Sequence, residues 1–288
     1  MVEKIEPPDV LEPNPAQVLA DFRIEDLYPK CSDDSSVARY WSEDSGNYDR
    51  IITDELASFR REAWKKLLWK MLPGRGQAMI DFGCGPGFLS ILLAELGQRV
   101  TGIDISSRMI DRARARADAW FEEVGAAELL EKPHFMHSWD GLGWFPDESV
   151  GAIVSRNVTW TLEDPERFYR EAFRVVRPGG RIVVFDANWN RPLFDEALAE
   201  RCRKREAECV KRFGSTFDGP EIHEPWDIRA LPLANVERPE WDRAALKAAG
   251  FRSIKLVTDV TESLWDEKEK LLYGETPLFS IYARKPKE

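Results

Sequence analysis

Apolar residues recur at Ile52, Leu56, Phe59, Ala63, Leu67 and Met71, the spacing of one helix face, and Pro73 with Gly74 closes that helix. From Ala78 the pattern alternates between strand-like and helix-like periods. "AMIDFGC" (78–84) reads as a buried strand, "FLSILLAEL" (88–96) as an apolar helix and "RVTGIDI" (99–105) as a second strand. "SSRMIDRARARADAW" (106–120) is an amphipathic helix with Ser106 or Ser107 as its N-cap. "PHFMHS" (133–138) and "VGAIVS" (150–155) are a third and a fourth strand. "EDPERFYREAFRVV" (163–176) is a helix capped by Asp164 with Pro165 in its first turn, and "RPGG" turns the chain into a fifth strand, "RIVVFDANW" (181–189).

About fifty residues from Asn190 to Glu240 then interrupt the rhythm with mixed helical, proline-punctuated sequence. "WDRAALKAAGF" (241–251) restores it as a helix closed by Gly250, followed by the strands "FRSIKLVTDV" (251–260) and "LFSIYARKP" (278–286). The short link between those two strands leaves little room for a helical crossover, so the last strand is expected to run antiparallel. The fold class this predicts is α/β, a Rossmann-like doubly wound sheet of seven mostly parallel strands with an antiparallel last strand. A helical lid comes from the N-terminus and from an insertion after strand five. The boundaries are 1–75 for an N-terminal arm and lid, 76–189 and 241–288 for the core, and 190–240 for the lid insertion. Ligands of such sheets bind beyond the carboxyl ends of the strands.

Composition narrows the function. The 43% hydrophobic and 32% charged residues are a soluble balance, and no run approaches the roughly 18 apolar residues of a membrane span. The acidic, proline-rich start "MVEKIEPPDVLEPNP" reads as an extended arm and not as a signal peptide, which points to a cytoplasmic protein. A net charge of -10 argues against a phosphate-tracking nucleic-acid surface. Cys31, Cys84, Cys202 and Cys209 are too scattered for a disulfide framework, and His134, His137 and His223 too few to propose a metal site. Oligomeric state is not readable.

The candidate chemistry begins at "MIDFGCGPGFLS" (79–90), where Asp81, Gly83, Gly85 and Gly87 form D-x-G-x-G-x-G between a strand and a helix. A nicotinamide fingerprint needs a third glycine at Phe88 or Ser90, and a phosphate loop needs Lys followed by Ser or Thr. Both patterns fail. Asp104, at the end of the second strand, is placed to accept both hydroxyls of a ribose.

"DFGCGPG", "GIDIS", "FPDESVGAIVSRNVTW" and "RPGGRIVVFDANW", in that order, resemble the class I S-adenosylmethionine-dependent methyltransferases, in particular the type 11 group with the ubiquinone and menaquinone C-methyltransferases. The resemblance runs from about Tyr48 to the C-terminus, the insertion excepted. It implies S-adenosyl-L-methionine as cofactor. It also implies that Asp104 holds the ribose, that the backbone at Gly83 and Gly85 lies against the methionine and ribose portions, and that Ile105 packs on the adenine. Asp81, Cys84 and Gly87 complete the cofactor loop, with Asp81 read as orienting loop amides. "HSWDGLGW" departs from the family's shorter form, leaving Asp140 to contact the adenine amino group with Trp139 beside the ring. Arg156 and Asn157 are expected along the methionine moiety, and Tyr48 at the cofactor carboxylate.

A methyl on a sulfonium carries its own reactivity, so the protein has to align a nucleophile and exclude water, with a general base optional. Asp186 is the candidate base, or else a strand-end carboxylate capping a neighbour, and Asn157 is a second catalytic candidate. Trp41, Trp160, Asn188 and Trp189 are the acceptor-pocket candidates; Trp41, Trp189 and Trp226 are an aromatic wall or else the lid's own core. The expected partner is a small-molecule acceptor whose nucleophilic atom (O, N, S or C) stays open. A non-catalytic cofactor-binding partner protein and a nucleotide-dependent oxidoreductase are the alternatives.

Overall fold

The computed structural model describes residues 35–123, 131–216 and 227–287. The N-terminal arm, Cys31, His223 and Trp226 lie outside the described residues.

Two helices, α1 (Ser36–Ala57) and α2 (Arg60–Met71), precede the alternating core. There follow β1 (Ala78–Phe82), α3 (Phe88–Glu95), β2 (Arg99–Asp104), α4 (Ser107–Glu123), β3 (His134–His137), β4 (Val150–Arg156), α5 (Pro165–Val175) and β5 (Val176–Asp186). The chain continues through α6 (Glu196–Phe213), α7 (Glu240–Ala249), β6 (Arg252–Val257), α8 (Glu267–Tyr273) and β7 (Phe279–Arg284). The seven strands lie in the order β3-β2-β1-β4-β5-β7-β6, and β7 pairs antiparallel with both β5 and β6. The order reverses between β1 and β4, so the connections leaving those two strands diverge and open a crevice at their carboxyl ends.

Both faces of the sheet are covered, which is why its strands are apolar throughout rather than alternating with polar residues. Met79, Val183 and Phe185 point to the side packed by α2, α3 and α4, whereas Ile80, Ile182 and Val184 point to the side packed by α5 and α7. The expected caps form: Ser106 Oγ accepts from Met109 N at 3.2 Å, and Asp164 Oδ1 from Arg167 N at 2.7 Å.

Two elements differ from the sequence reading. The single helix expected over 51–71 is broken at Ser58, whose extended backbone and side chain (Oγ to Glu55 O, 2.9 Å) end α1. The two non-helical residues reset the helical phase, so Trp64 and Leu68 are buried while Phe59 is 54% exposed. The connection from β6 to β7 contains the seven-residue helix α8, yet β7 still returns antiparallel, because α8 packs on α6 instead of crossing the sheet.

At the middle of β2, a Cβ on Gly102 would lie 2.7 Å from Phe135 and 2.8 Å from Ser90 Oγ. Gly102→Ala should therefore lower the unfolding free energy by about 1–3 kcal/mol through overpacking. Urea titration should show a lower midpoint with an unchanged slope.

Candidate active site

A cavity of about 400 Å³ opens where β1, β2 and β4 end. The loop after β1 contributes Gly83 and Gly85, and β2 contributes Asp104 and Ile105. Trp139 to Leu142 form one end, Arg156 to Val158 the other, and α1 brings Val37, Trp41 and Tyr48 over it. Asp81, Cys84, Gly87, Trp160, Asp186, Asn188 and Trp189 are not among the lining residues.

The loop is built by main-chain bonds. Gly83 N and Cys84 N both donate to Ile103 O, at 2.8 and 2.9 Å, which turns the chain sharply off the sheet. Gly83 and Gly85 have φ of 68° and 51°, and a Cβ on Gly83 would fall 2.3 Å from Val158. Only glycine lets the backbone reach the cavity there. Asp104 fastens the loop from the neighbouring strand: its Oδ2 accepts from Gly85 N and its Oδ1 from Ser106 N, each at 2.9 Å. Each oxygen keeps a lone pair for a further donor. Burial raises the Asp104 pKa, opposed by these amide bonds and by His137 nearby. Ser106 Oγ also meets Ser42 Oγ at 2.8 Å, joining α1 to the same corner.

Asp81 lies beneath the loop, where its Oδ2 accepts from Ser90 Oγ at 2.7 Å. It braces β1 against α3 and does not reach the cavity. Burial pushes its pKa up to about 7, against the lowering effect of the Ser90 bonds.

At the other end, Asn157 adopts φ 57°, held by its N–H on Phe185 O (2.9 Å) and by Trp160 Nε1 on its carbonyl (3.2 Å). Its side chain bonds the Tyr48 phenol, whose pKa burial raises while the charge of Arg156 opposes the rise. Arg156 is held elsewhere than its place in the cavity wall suggests. Its guanidinium makes a two-bond pair with Glu55 (2.9 and 2.7 Å) and sits 4.9 Å from the ring centres of both Trp64 and Phe88. Burial alone would depress its pKa, and Glu55 more than offsets this, so the net shift is upward. Glu55, Trp64 and Val158 are site-supporting residues that the sequence reading did not find; each sits in an ordinary helix or turn pattern and becomes a partner only through the fold.

The adenine-side candidates are present in the wall: Trp139, 54% exposed, meets Trp144 edge-on at 5.5 Å, and Asp140 pairs with Arg167 at 2.7 Å. Trp41 touches Tyr48 and Trp160 edge-on, at 5.7 and 6.4 Å, so Trp160 backs the wall instead of lining it.

The reading of Asp186 as a base is corrected. Asp186 is fully buried; Oδ1 accepts from Ala187 N (2.9 Å), and Oδ2 accepts from Thr159 Oγ1 (2.5 Å), Trp160 N (3.0 Å) and Arg238 Nη1 (2.9 Å). Its lone pairs are spent on structure, which is the strand-end capping alternative. Asn188 and Trp189 also leave the pocket: Asn188 binds the Arg238 backbone through both amide atoms, and Trp189 packs with Trp265 and Tyr273. Among the described residues, no group of three His, Cys, Asp or Glu could hold a metal ion.

Residues 80–184 match the protein-family profile described as "Methyltransferase domain". The 27-O-demethylrifamycin SV methyltransferase of Amycolatopsis mediterranei is 31% identical over 238 residues, 74% of each chain. The chain belongs to the class I S-adenosylmethionine-dependent methyltransferases. A demethylmenaquinone methyltransferase of Tropheryma whipplei is 34% identical over 139 residues, 48% of this methyltransferase-family chain and 53% of the relative. The chain spans about half the length of most curated relatives it matches. Its fold is shared with the solved phosphoethanolamine N-methyltransferase 2 of Haemonchus contortus, at 17% identity and a TM-score of 0.56 over 90% of this chain and 61% of that one.

Two outcomes follow from the buried carboxylates. A carboxyl whose folded pKa, about 7, exceeds its reference value of 3.8 contributes most below pH 3.8, and that contribution is lost as pH rises toward 7. Asp81→Asn keeps an acceptor for Ser90 without the charge, so its unfolding free energy relative to the native chain should increase steadily from pH 4 to pH 7 in a urea series. Asp186→Ala leaves the Arg238 guanidinium short of a buried partner and should cost about 3–5 kcal/mol of stability, read by the same titration.

Proposed function

We propose that this chain binds S-adenosylmethionine in the cavity at the ends of β1, β2 and β4 and transfers its methyl group to a small-molecule acceptor. The observation that carries the reading is the convergence of the Asp104 carboxylate and the bare Gly83–Gly85 backbone on one cavity wall, in a member of this family. The residues fit the group. Asp104 retains a lone pair on each oxygen for the ribose hydroxyls, and the glycine backbone leaves no side chain between loop and ligand. Ile105, Trp139 and Asp140 serve the adenine end, while Arg156, Asn157 and Tyr48 serve the amino-acid end.

When bound, the cofactor supplies a methyl made electrophilic by its sulfonium. The chain's part is geometric. Tyr48 and Trp41, carried by α1, close one side and displace water from the transfer path. Asn157, fixed in a left-handed turn, presents its amide at the same end and orients what lies there without serving as a proton acceptor. With Asp186 locked away, a nucleophile that needs no strong base suits the site.

The same reading takes α1, α2 and the insertion 190–240 as covering elements around the core 76–189 and 241–288. It also places the protein in the cytoplasm, without a nucleic-acid partner. No described helix is long and apolar enough to cross a membrane, and the net charge of -10 disfavours phosphate tracking; both support this reading.

Calorimetric titration should give binding of S-adenosylmethionine and S-adenosylhomocysteine and none of NADH. Asp104→Ala should weaken the first two by about 10- to 100-fold, the loss of charge-assisted hydrogen bonds worth roughly 1.5–3 kcal/mol. A native chain that binds neither would sink the proposal. Labelled-methyl transfer into metabolite pools, with mass identification of the product, then names the acceptor.

A further inference from the structure

Arg238 stands outside the segment matched by the methyltransferase-domain profile, in the stretch between α6 and α7. Its side chain is nevertheless only 1% exposed and reaches the turn that follows β4. Nη1 donates to Asp186 Oδ2 at 2.9 Å and Nη2 to Thr159 Oγ1 at 2.6 Å, while Nε and Nη2 grip Asp242 at 2.8 and 2.6 Å. Thr159 Oγ1 in turn donates to Asp186 Oδ2, at 2.5 Å, so the hydroxyl is held between a cation and a carboxylate.

Thr159 begins a 3-10 turn, Thr159–Thr161, that is part of the cavity wall. Immediately before it, Val158 presses on Gly83 so closely that a Cβ there would clash at 2.3 Å, and the Trp160 indole holds the carbonyl of Asn157. The position of Asn157 and Val158 over the glycine loop therefore depends on where this turn is anchored, and the anchor comes from far along the chain. A side chain that touches no ligand thus sets the height of one end of the cavity. The opposite end, at Trp139 and Asp140, has its own fixings: Ser138 N on Asp104 O at 2.9 Å and Arg167 on Asp140.

We propose that Arg238 is a positioning residue for the amino-acid end of the cofactor site, acting through Thr159 on Asn157 and Val158. This rests on the cavity being the S-adenosylmethionine site. It predicts an effect confined to one half of the ligand, which a general loss of stability would not produce.

The test is calorimetric titration of the full chain and its variants, well below their melting temperatures, with S-adenosylhomocysteine and with 5′-methylthioadenosine, which lacks the amino-acid portion. Arg238→Lys keeps the charge but loses the fork that spans Asp186, Thr159 and Asp242. Thr159→Val removes only the hydroxyl. The expected result is an S-adenosylhomocysteine Kd raised about tenfold in Arg238→Lys and about threefold in Thr159→Val, with methylthioadenosine changed by less than about twofold. Equal weakening of both ligands, or no change in either, overturns the proposal. Should Arg238→Lys fail to fold, Thr159→Val alone decides. Failure of the native chain to bind S-adenosylhomocysteine is a different result, since it removes the cofactor reading itself.

Discussion

The candidate site depends first on one carboxylate. Asp104 bonds Gly85 N with one oxygen and Ser106 N with the other, so the loop after β1 and the start of α4 are fastened to the end of β2 by a single side chain. Because that side chain is buried, the bonds act in a medium of low dielectric and fix the loop firmly. Ser106 passes the constraint to Ser42 and hence to α1, which carries Trp41 and Tyr48 to the cavity. Burial that would favour protonation of Asp104 is opposed by the same amide bonds, so the group that organises the loop is also kept available as an acceptor of hydrogen bonds.

Around this corner, two buried arginines attach the peripheral segments to the sheet. Arg156, at the end of β4, takes Glu55 from α1 and is enclosed by Trp64 and Phe88. Arg238, in the segment preceding α7, takes Asp186 from the end of β5 and Asp242 from α7. Such pairs contribute little net stability compared with apolar packing, but breaking one strands a charge. Their effect is specificity of placement: the lid-forming segments, which have few apolar reasons to sit in one position, are located at the strand ends by charge. The relatives include methyltransferases named for oxygen acceptors and for quinone precursors, so the shared core does not choose the acceptor; the segments these arginines fasten are the parts of the wall that vary.

Much was legible in the chain itself. Strand and helix periods, caps at Ser106 and Asp164, and the spacing from the glycines to Asp104 are local or near-local signals, and each led to the element or contact found. The failed third glycine excluded a dinucleotide without any structure. The expected face of the first helix was wrong beyond Ser58, because a single side-chain bond to Glu55 O ended the helix and no hydrophobic period records that. Asp186, Asn188 and Trp189 looked like pocket residues because they sit at a strand end, where such residues belong in this architecture. Their neighbours Arg238, Trp265 and Tyr273 lie fifty or more residues further on, and only folding brings them close enough to claim those side chains.

The sequence by itself determined the sheet, its order of elements, the antiparallel last strand, the family and the loop with its carboxylate. These rest on periodicity, on backbone freedom at glycine and on short spacings, all carried by residues near one another. Tertiary structure alone decided which polar groups remain for chemistry and which are consumed in holding the fold. A buried donor or acceptor is satisfied by whatever partner the completed fold delivers, and for Asp186 and Arg156 those partners came from distant parts of the chain.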